Sequence, residues 1–205
     1  MSVSAVGVLR AIQKSDLKIF RSADVMTLTG LDASAAVHAL TRLATQGLLT
    51  RVKRGLWLGG AARDVSAFEL LPHLTAPWPS YVSLYSALSH YSLVEEVPHI
   101  VYGVTSGRPA RFQTPLGGVH VHHLPGRLMW GYEMTRTPGG AFPMAEPEKA
   151  FLDLVYLSLI PRSRLEAPRT RDGTWRLDGK KLKAYAKKFA FKPLEDFLKV
   201  GGVVS

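Results

Sequence analysis

Residues 22–58, SADVMTLTGLDASAAVHALTRLATQGLLTRVKRGLWL, constrain the fold more than any other stretch. Two helical patterns joined at Gly30-Leu31 run directly into two short strands around Lys53-Arg54-Gly55. Ser22 is placed to N-cap the first of these helices, its hydroxyl accepting from a free backbone N–H. Val25, Met26 and Leu28 supply that helix's apolar side, and Gly30 can take the positive φ that ends it. Asp32 or Ser34 then caps a helix running to about Gln46, about 14 residues and about 21 Å long, which suits a major groove. Val37, Leu40 and Ala44 form its apolar stripe, with Ala36 and Leu43 at the margins. Ser34, His38, Thr41, Arg42 and Thr45 lie opposite. Gly47 ends the helix, and Leu48–Val52 pairs with Leu56–Leu58 in a hairpin tipped by Arg51, Lys53 and Arg54. This order of elements predicts a winged helix-turn-helix with a helix that reads DNA bases and a basic wing.

Charge supports a polyanion partner. The chain of 205 residues has a net charge of +10, distributed as +5 over residues 1–62, −2 over 63–160 and +7 over 161–205. A basic surface at both ends suits double-stranded DNA, although solubility alone also explains such charge. The chain has no cysteine, which excludes disulfides, thiolate metal sites and thiol catalysis and fits a reducing cytoplasm. No run of about 18 apolar residues is present, and the first residues lack the pattern of a secretory signal.

Around the winged helix, a first helix is expected over residues 3–14, with Val3, Val6, Leu9 and Ile12 as possible core contacts. Ile19-Phe20 reads as a short extended link. Beyond residue 62 the pattern becomes α+β. Arg63–Thr75 reads as a connecting helix, and Ala76-Pro77-Trp78-Pro79 as rigid punctuation. The boundary is therefore placed between residues 1–62 and 63–205, with residues 63–79 as connecting helix and linker. YVSLYSALSHYSL after Ser80 is amphipathic and helical. His99–Ser106, Arg111–Thr114, Val119–Leu124 and Leu128–Thr135 are strand-like, with turns at Gly107-Arg108-Pro109 and Pro115–Gly118. They predict a small, mainly antiparallel sheet flanked by helices. EPEKAFLDLVYLSLI forms a further helix with Pro147 in its first turn. Pro161–Arg176 reads as a basic loop, Asp178 caps GKKLKAYAKKF, and a short helix closes the chain.

The segments SYVSLYSALSHYSLVEEVPHIVYGVTSGR, TPLGGVHVHHLP and AEPEKAFLDLVYL, in this order behind the winged helix, resemble the AbiEi family of antitoxins. Glu95-Glu96 stands where members of that family often have Glu-Gln. The resemblance spans about residues 5 to 200. It implies a winged-helix N-terminal domain, an α+β C-terminal domain and a role in type IV toxin–antitoxin and abortive-infection (phage-defence) systems. It further implies binding of inverted repeats in the operon's own promoter, with repression, and neutralisation through the C-terminal domain. The partner implied is a nucleotidyltransferase-like toxin, without a stable complex. No heptad or other dimerisation element is visible, so monomers pairing cooperatively on DNA are compatible with the sequence.

The expected DNA-binding residues are Ser22, Ser34, His38, Thr41, Arg42, Thr45, Arg51, Lys53 and Arg54. Arg42 can pair with guanine O6 and N7, whereas the wing cations suit phosphates or the minor groove. Lys180, Lys181, Lys183, Lys187 and Lys188 form either a second polyanion surface or the solvated face of a docked helix. His120 and His122 would share a strand face, but two imidazoles without a carboxylate or thiol are an incomplete metal site. Glu146, Glu148, Lys149 and Asp153 evoke the Glu-x-Lys pattern of Mg²⁺-dependent nucleases. Their place at a helix start, where acidic residues complement the dipole, offers the plainer explanation. Tyr81, Tyr85, Tyr91 and the Trp78 region read as core and domain contacts. No catalytic residue, metal or cofactor is assigned. The alternatives to the antitoxin reading are a ligand-responsive transcriptional regulator and the nuclease.

Overall fold

The computed structural model describes residues 4–60, 62–95, 98–168 and 175–200. Helix α1 (Ala5–Ser15) is capped by Ser4, whose hydroxyl accepts from Gly7 N. Strand β1 (Ile19–Arg21) follows, then α2 (Ser22–Thr29), α3 (Ala33–Thr45) and the hairpin β2 (Leu49–Lys53) and β3 (Leu56–Gly59). The expected link at Ile19-Phe20 is thus a true strand. It pairs antiparallel with β3, giving a three-stranded sheet in the order β1-β3-β2. Three helices with this sheet make a winged helix.

Local signals account for most of these boundaries. Asp32 caps α3 by accepting from Ala35 N, and Gly30 and Gly47 take φ of 69° and 73° beyond the ends of α2 and α3. Ser22 is not a cap. Arg21 occupies the N-cap of α2 and Asp24 accepts from its backbone N–H. Ser22 is the first helical residue, and its hydroxyl instead accepts from Trp57 Nε1 at 3.0 Å.

Beyond the wing come α4 (Ala67–Thr75), β4 (Ser80–Val82), α5 (Leu84–His90), β5 (Ile100–Thr105), β6 (Ala110–Thr114), β7 (Gly117–His123), β8 (Tyr132–Thr137) and β9 (Gly140–Ala145). Helices α6 (Pro147–Leu159), α7 (Gly179–Phe189) and α8 (Lys192–Val200) complete the chain. The larger sheet has the order β6-β7-β5-β4-β9-β8. Its β4–β5, β6–β7 and β8–β9 pairings are antiparallel, and β4–β9 and β5–β7 are parallel. The sheet is therefore larger and more mixed than expected. Two strands account for the difference. The pattern places a helix start at Tyr81, but Ser80–Val82 is a fully buried strand. Gly140–Ala145 carries no expected strand signal, yet it links β4 to the edge strand β8.

Helices cover both sides of this sheet. Leu71 of α4 fills the space over Gly103, where a Cβ would stand 2.1 Å from Leu71 Cδ1. Tyr81, paired with Val104, points to the other face and donates to Asp153 of α6. Along β3 the same alternation divides two cores. Trp57 joins Val8, Ile12, Phe20, Val25, Leu40 and Leu43 inside the winged helix, whereas Leu56 and Leu58 join the larger core of α4, the six-stranded sheet and α6–α8. The expected boundary at residues 62/63 therefore falls after a strand that serves both cores.

A polar knot crosses the larger core. Lys149 and Asp153, both fully buried, form an i,i+4 ion pair on α6. Asp153 also accepts from Tyr81 Oη at 3.0 Å and Ser83 Oγ at 2.8 Å, and Lys149 Nζ donates to Tyr81 Oη at 2.7 Å. Burial pushes the Asp153 carboxyl up and the Lys149 ammonium down, and each partner opposes the shift of the other. Asp153→Ala leaves the ammonium unpaired in the core. It should cost about 3–5 kcal/mol, read from urea unfolding.

A second buried carboxylate ties α4 to β8. Ser66 and Glu69 form a capping box, and Thr137 Oγ1 also donates to Glu69. Burial pushes the Glu69 carboxyl up, but the hydrogen bonds from Ser66, Thr137 and the local backbone outweigh it and hold it below its usual value. A depressed carboxyl stabilises the fold above its unfolded pKa, and that contribution disappears as pH falls through the folded pKa. Glu69→Gln should therefore lose about 1–2 kcal/mol near neutral pH. The difference from wild type should shrink on acidification below the usual glutamate range, as followed by denaturant unfolding at several pH values.

Candidate nucleic-acid interface

Helix α3 buries Ala36, Leu40 and Leu43 and turns its other side outward. The apolar stripe is rotated from the one expected, because Val37 is 45% exposed. Ser34, His38, Thr41, Arg42 and Thr45 are all exposed, with Val37 among them. Thr41 Oγ1 donates to Val37 O at 2.8 Å, and Thr45 Oγ1 donates to Thr41 O at 3.0 Å. Both hydroxyl protons are thus engaged within the helix, so each oxygen is left to accept. The surface combines a guanidinium, an imidazole, hydroxyl acceptors and small apolar groups, a set that matches base edges and thymine methyl groups.

The wing divides its cations between two sides. Arg51 pairs with Trp57 and its guanidinium lies 5.7 Å from the centre of that ring. A register shift separates Arg51 from Lys53, which pairs with Leu56 on the opposite face. Arg51 and Arg54 are exposed, Arg54 beside the positive-φ turn residue Gly55. Lys53 turns back instead. Its ammonium donates to Leu74 O at 2.7 Å and lies 5.3 Å from the centre of the Phe112 ring.

Two further cations of the winged helix have internal partners. Arg21 Nη2 donates to His73 O at 2.9 Å, and Lys18 Nζ donates to Pro138 O at 2.6 Å. The carbonyls of His73 and Leu74 belong to the last turn of α4, where carbonyls lack intrahelical donors and the helix dipole favours positive charge. Arg21 and Lys53 therefore cap α4 from the neighbouring sheet. Burial lowers the Lys53 pKa, and the nearby Arg21 guanidinium lowers it further. This double capping was not legible in sequence because the partners lie 52 and 21 residues away.

The basic helix α7 is also divided. Lys181 does not face outward as expected of a polyanion surface. Its ammonium stands 3.0 Å from Glu146 and 3.3 Å from Glu148. Burial opposes its charge, but hydrogen bonds to both carboxylates and their attraction push its pKa up to about 12. Lys188 lies over Trp130 and Tyr185. Lys180, Lys183, Lys187 and Lys188 itself are exposed.

The glutamates that evoked a nuclease share Lys181 and have further protein partners. Glu146 binds Lys181 and accepts from Tyr185 Oη, and Glu148 Oε1 accepts from Asp178 N. Lys149 and Asp153 are turned into the core. Among the described residues, no group of three or more His, Asp or Glu side chains is arranged to hold a metal.

His120 and His122 do share a face of β7, and both are in ring contact with Tyr102. Burial lowers both pKa values, with Arg111 acting on His120 and with His120 and Arg111 acting on His122. His123 points elsewhere, its Nδ1 2.8 Å from Gly107 O. Tyr81 is the core contact expected, but Trp78 is 56% exposed. Glu96 lies outside the described residues. No described helix is long and apolar enough to cross a membrane.

The three helices and the hairpin, with one side of α3 left exposed, define a winged-helix fold. Residues 8–58, the span of the winged helix, match the family described as transcriptional regulator, AbiEi antitoxin. No curated protein matches the chain.

Lys53→Met keeps the aliphatic stem but removes the hydrogen bond to α4. It should lower stability by about 1 kcal/mol, measured by chemical denaturation.

Proposed function

We propose that this protein is an antitoxin and transcriptional autorepressor of a type IV toxin–antitoxin operon. The reading rests on the uncovered side of α3, where Ser34, His38, Thr41, Arg42 and Thr45 stand together beside exposed Arg51 and Arg54. The AbiEi match over residues 8–58 supports it. Helix α3 reads one half of an inverted repeat in the major groove, with Arg42 as the guanine reader. Arg51 and Arg54 hold phosphates beside the groove, and Ser22, whose backbone N–H is bonded to Gly55 O, offers its hydroxyl proton to one. Lys53 sets the position of the wing from behind. The C-terminal unit, residues 63–205, counters a nucleotidyltransferase-like toxin without a stable complex, in the cytoplasm. The exposed lysines of α7 offer it a second polyanion surface.

Arg42→Ala should cost about 1–3 kcal/mol at the operator and relax sequence preference, read by competition between operator and scrambled duplexes. Arg54→Ala should weaken both duplexes alike and flatten the salt dependence by about one unit. Undiminished preference in Arg42→Ala counts against the assignment.

Antitoxicity is best separated from repression in the full-length chain, because Leu56, Leu58 and α4 are part of the larger core. Co-expressed with the neighbouring toxin gene from a constitutive promoter, the Arg42→Ala/Arg54→Ala double variant should still restore growth while failing to repress a promoter reporter. Loss of growth rescue in that variant argues against two separable roles.

A further inference from the structure

A cavity of about 520 Å³ lies between the end of α4, the Trp78 segment and the β5–β6 turn. This volume is within the roughly 300–1,000 Å³ typical of small-molecule sites. Its walls include Leu74, Thr75, Trp78, Ser106, Arg108 and Phe112, and no lining residue carries a carboxylate.

The two aromatic walls are held differently. Trp78 packs against Gly107, where an added Cβ would stand 2.5 Å from the indole, so one side of the ring is fixed on backbone. The ring nevertheless remains 56% exposed, which leaves indole surface uncovered beside the cavity. Phe112 carries the ammonium of Lys53 near its ring, and that ammonium is held by the carbonyl of Leu74, another wall residue. Arg108 is exposed on the turn that closes the cavity.

From this arrangement we infer that the cavity is a binding site for a small planar aromatic anion. The ring of the ligand stacks on Trp78, an indole being a strong platform for a flat π-system. Its anionic group meets Arg108, whose guanidinium matches carboxylate and phosphate oxygens. A cationic ligand finds no counter-charge in the lining, and a neutral ring leaves Arg108 unengaged. Leu74 and Phe112 of its wall are also the residues that contact Lys53 of the wing.

Adenosine 5′-monophosphate and indole-3-acetate represent the two sources of such an anion, a nucleotide and an aromatic carboxylate. Each is titrated calorimetrically into the full-length protein without DNA, so the result is independent of the repressor reading. At least one should bind saturably with a Kd below about 1 mM, and which one binds identifies the source. Adenosine and inorganic phosphate should each bind at least about tenfold more weakly than the intact nucleotide if that is the ligand. Trp78→Ala and Arg108→Gln, with unfolding transitions confirming that they fold, should each weaken binding about tenfold or more. If Trp78→Ala does not fold, Arg108→Gln carries the test. Absence of saturable binding by both probes, or undiminished affinity in either folded variant, overturns the inference.

Discussion

Everything in this molecule hangs on the two-sidedness of β3. Side chains alternate across a strand, so three consecutive residues serve two cores at once. Trp57 closes the small core beneath the helices of the winged helix, and Leu56 and Leu58 enter the core of the α+β unit. The back of the winged-helix sheet is covered by the rest of the chain, and burying two leucines there contributes about 1.5–3 kcal/mol each. The winged helix is consequently seated by apolar packing, and polar contacts fix its orientation.

Those polar contacts follow from the same alternation. Arg21 lies opposite Leu56 on β1, and Lys53 lies opposite Leu56 on β2. Both therefore face the α+β unit, where the open carbonyls at the end of α4 accept them. Arg51, in register with Trp57, is sent to the other side. A run that looks uniformly basic in one dimension is thus divided, by the register shift between Arg51 and Lys53, into anchoring and presenting cations. The basic stretch of α7 is divided in the same way by helical periodicity. Lys181 turns to Glu146 and Glu148, while Lys180, Lys183 and Lys187 stay at the surface.

Local chemistry made the winged helix readable from its sequence. Gly30, Asp32, Gly47 and Gly55 occupy the turn and cap positions their types favour, and the hairpin follows the helix without a gap. The exposed face of α3 was legible too, except for Val37, which a one-residue rotation of the stripe brought outside. What failed to show was long-range. Strand β4 has only three residues and reads like the start of the amphipathic helix behind it, and its identity depends on β5 and β9 pairing on either side. Strand β9 contains Pro143 and two small residues at its start, a poor strand signature that pairing with β8 overrides. The partners of Lys53 and Arg21 are backbone carbonyls, which carry no side-chain signature. The Glu146–Asp153 segment carried the opposite ambiguity. Its spacing allowed catalysis, but the burial of Lys149 and Asp153 with Tyr81 and Ser83 makes it a structural knot.

The shared strand also bears on how such a protein can be remodelled by recombination. DNA-reading heads are often regarded as exchangeable modules, joined to their bodies by a linker at which segments can be spliced. Here a splice after residue 59 would import a foreign pair of side chains into a packed core and foreign cations onto the end of α4. A graft of α2, α3 and their turn alone keeps Arg21, Lys53, Leu56 and Leu58 in place. The exposed face of α3 can then be changed within about two dozen residues while the seam between head and body stays as it is.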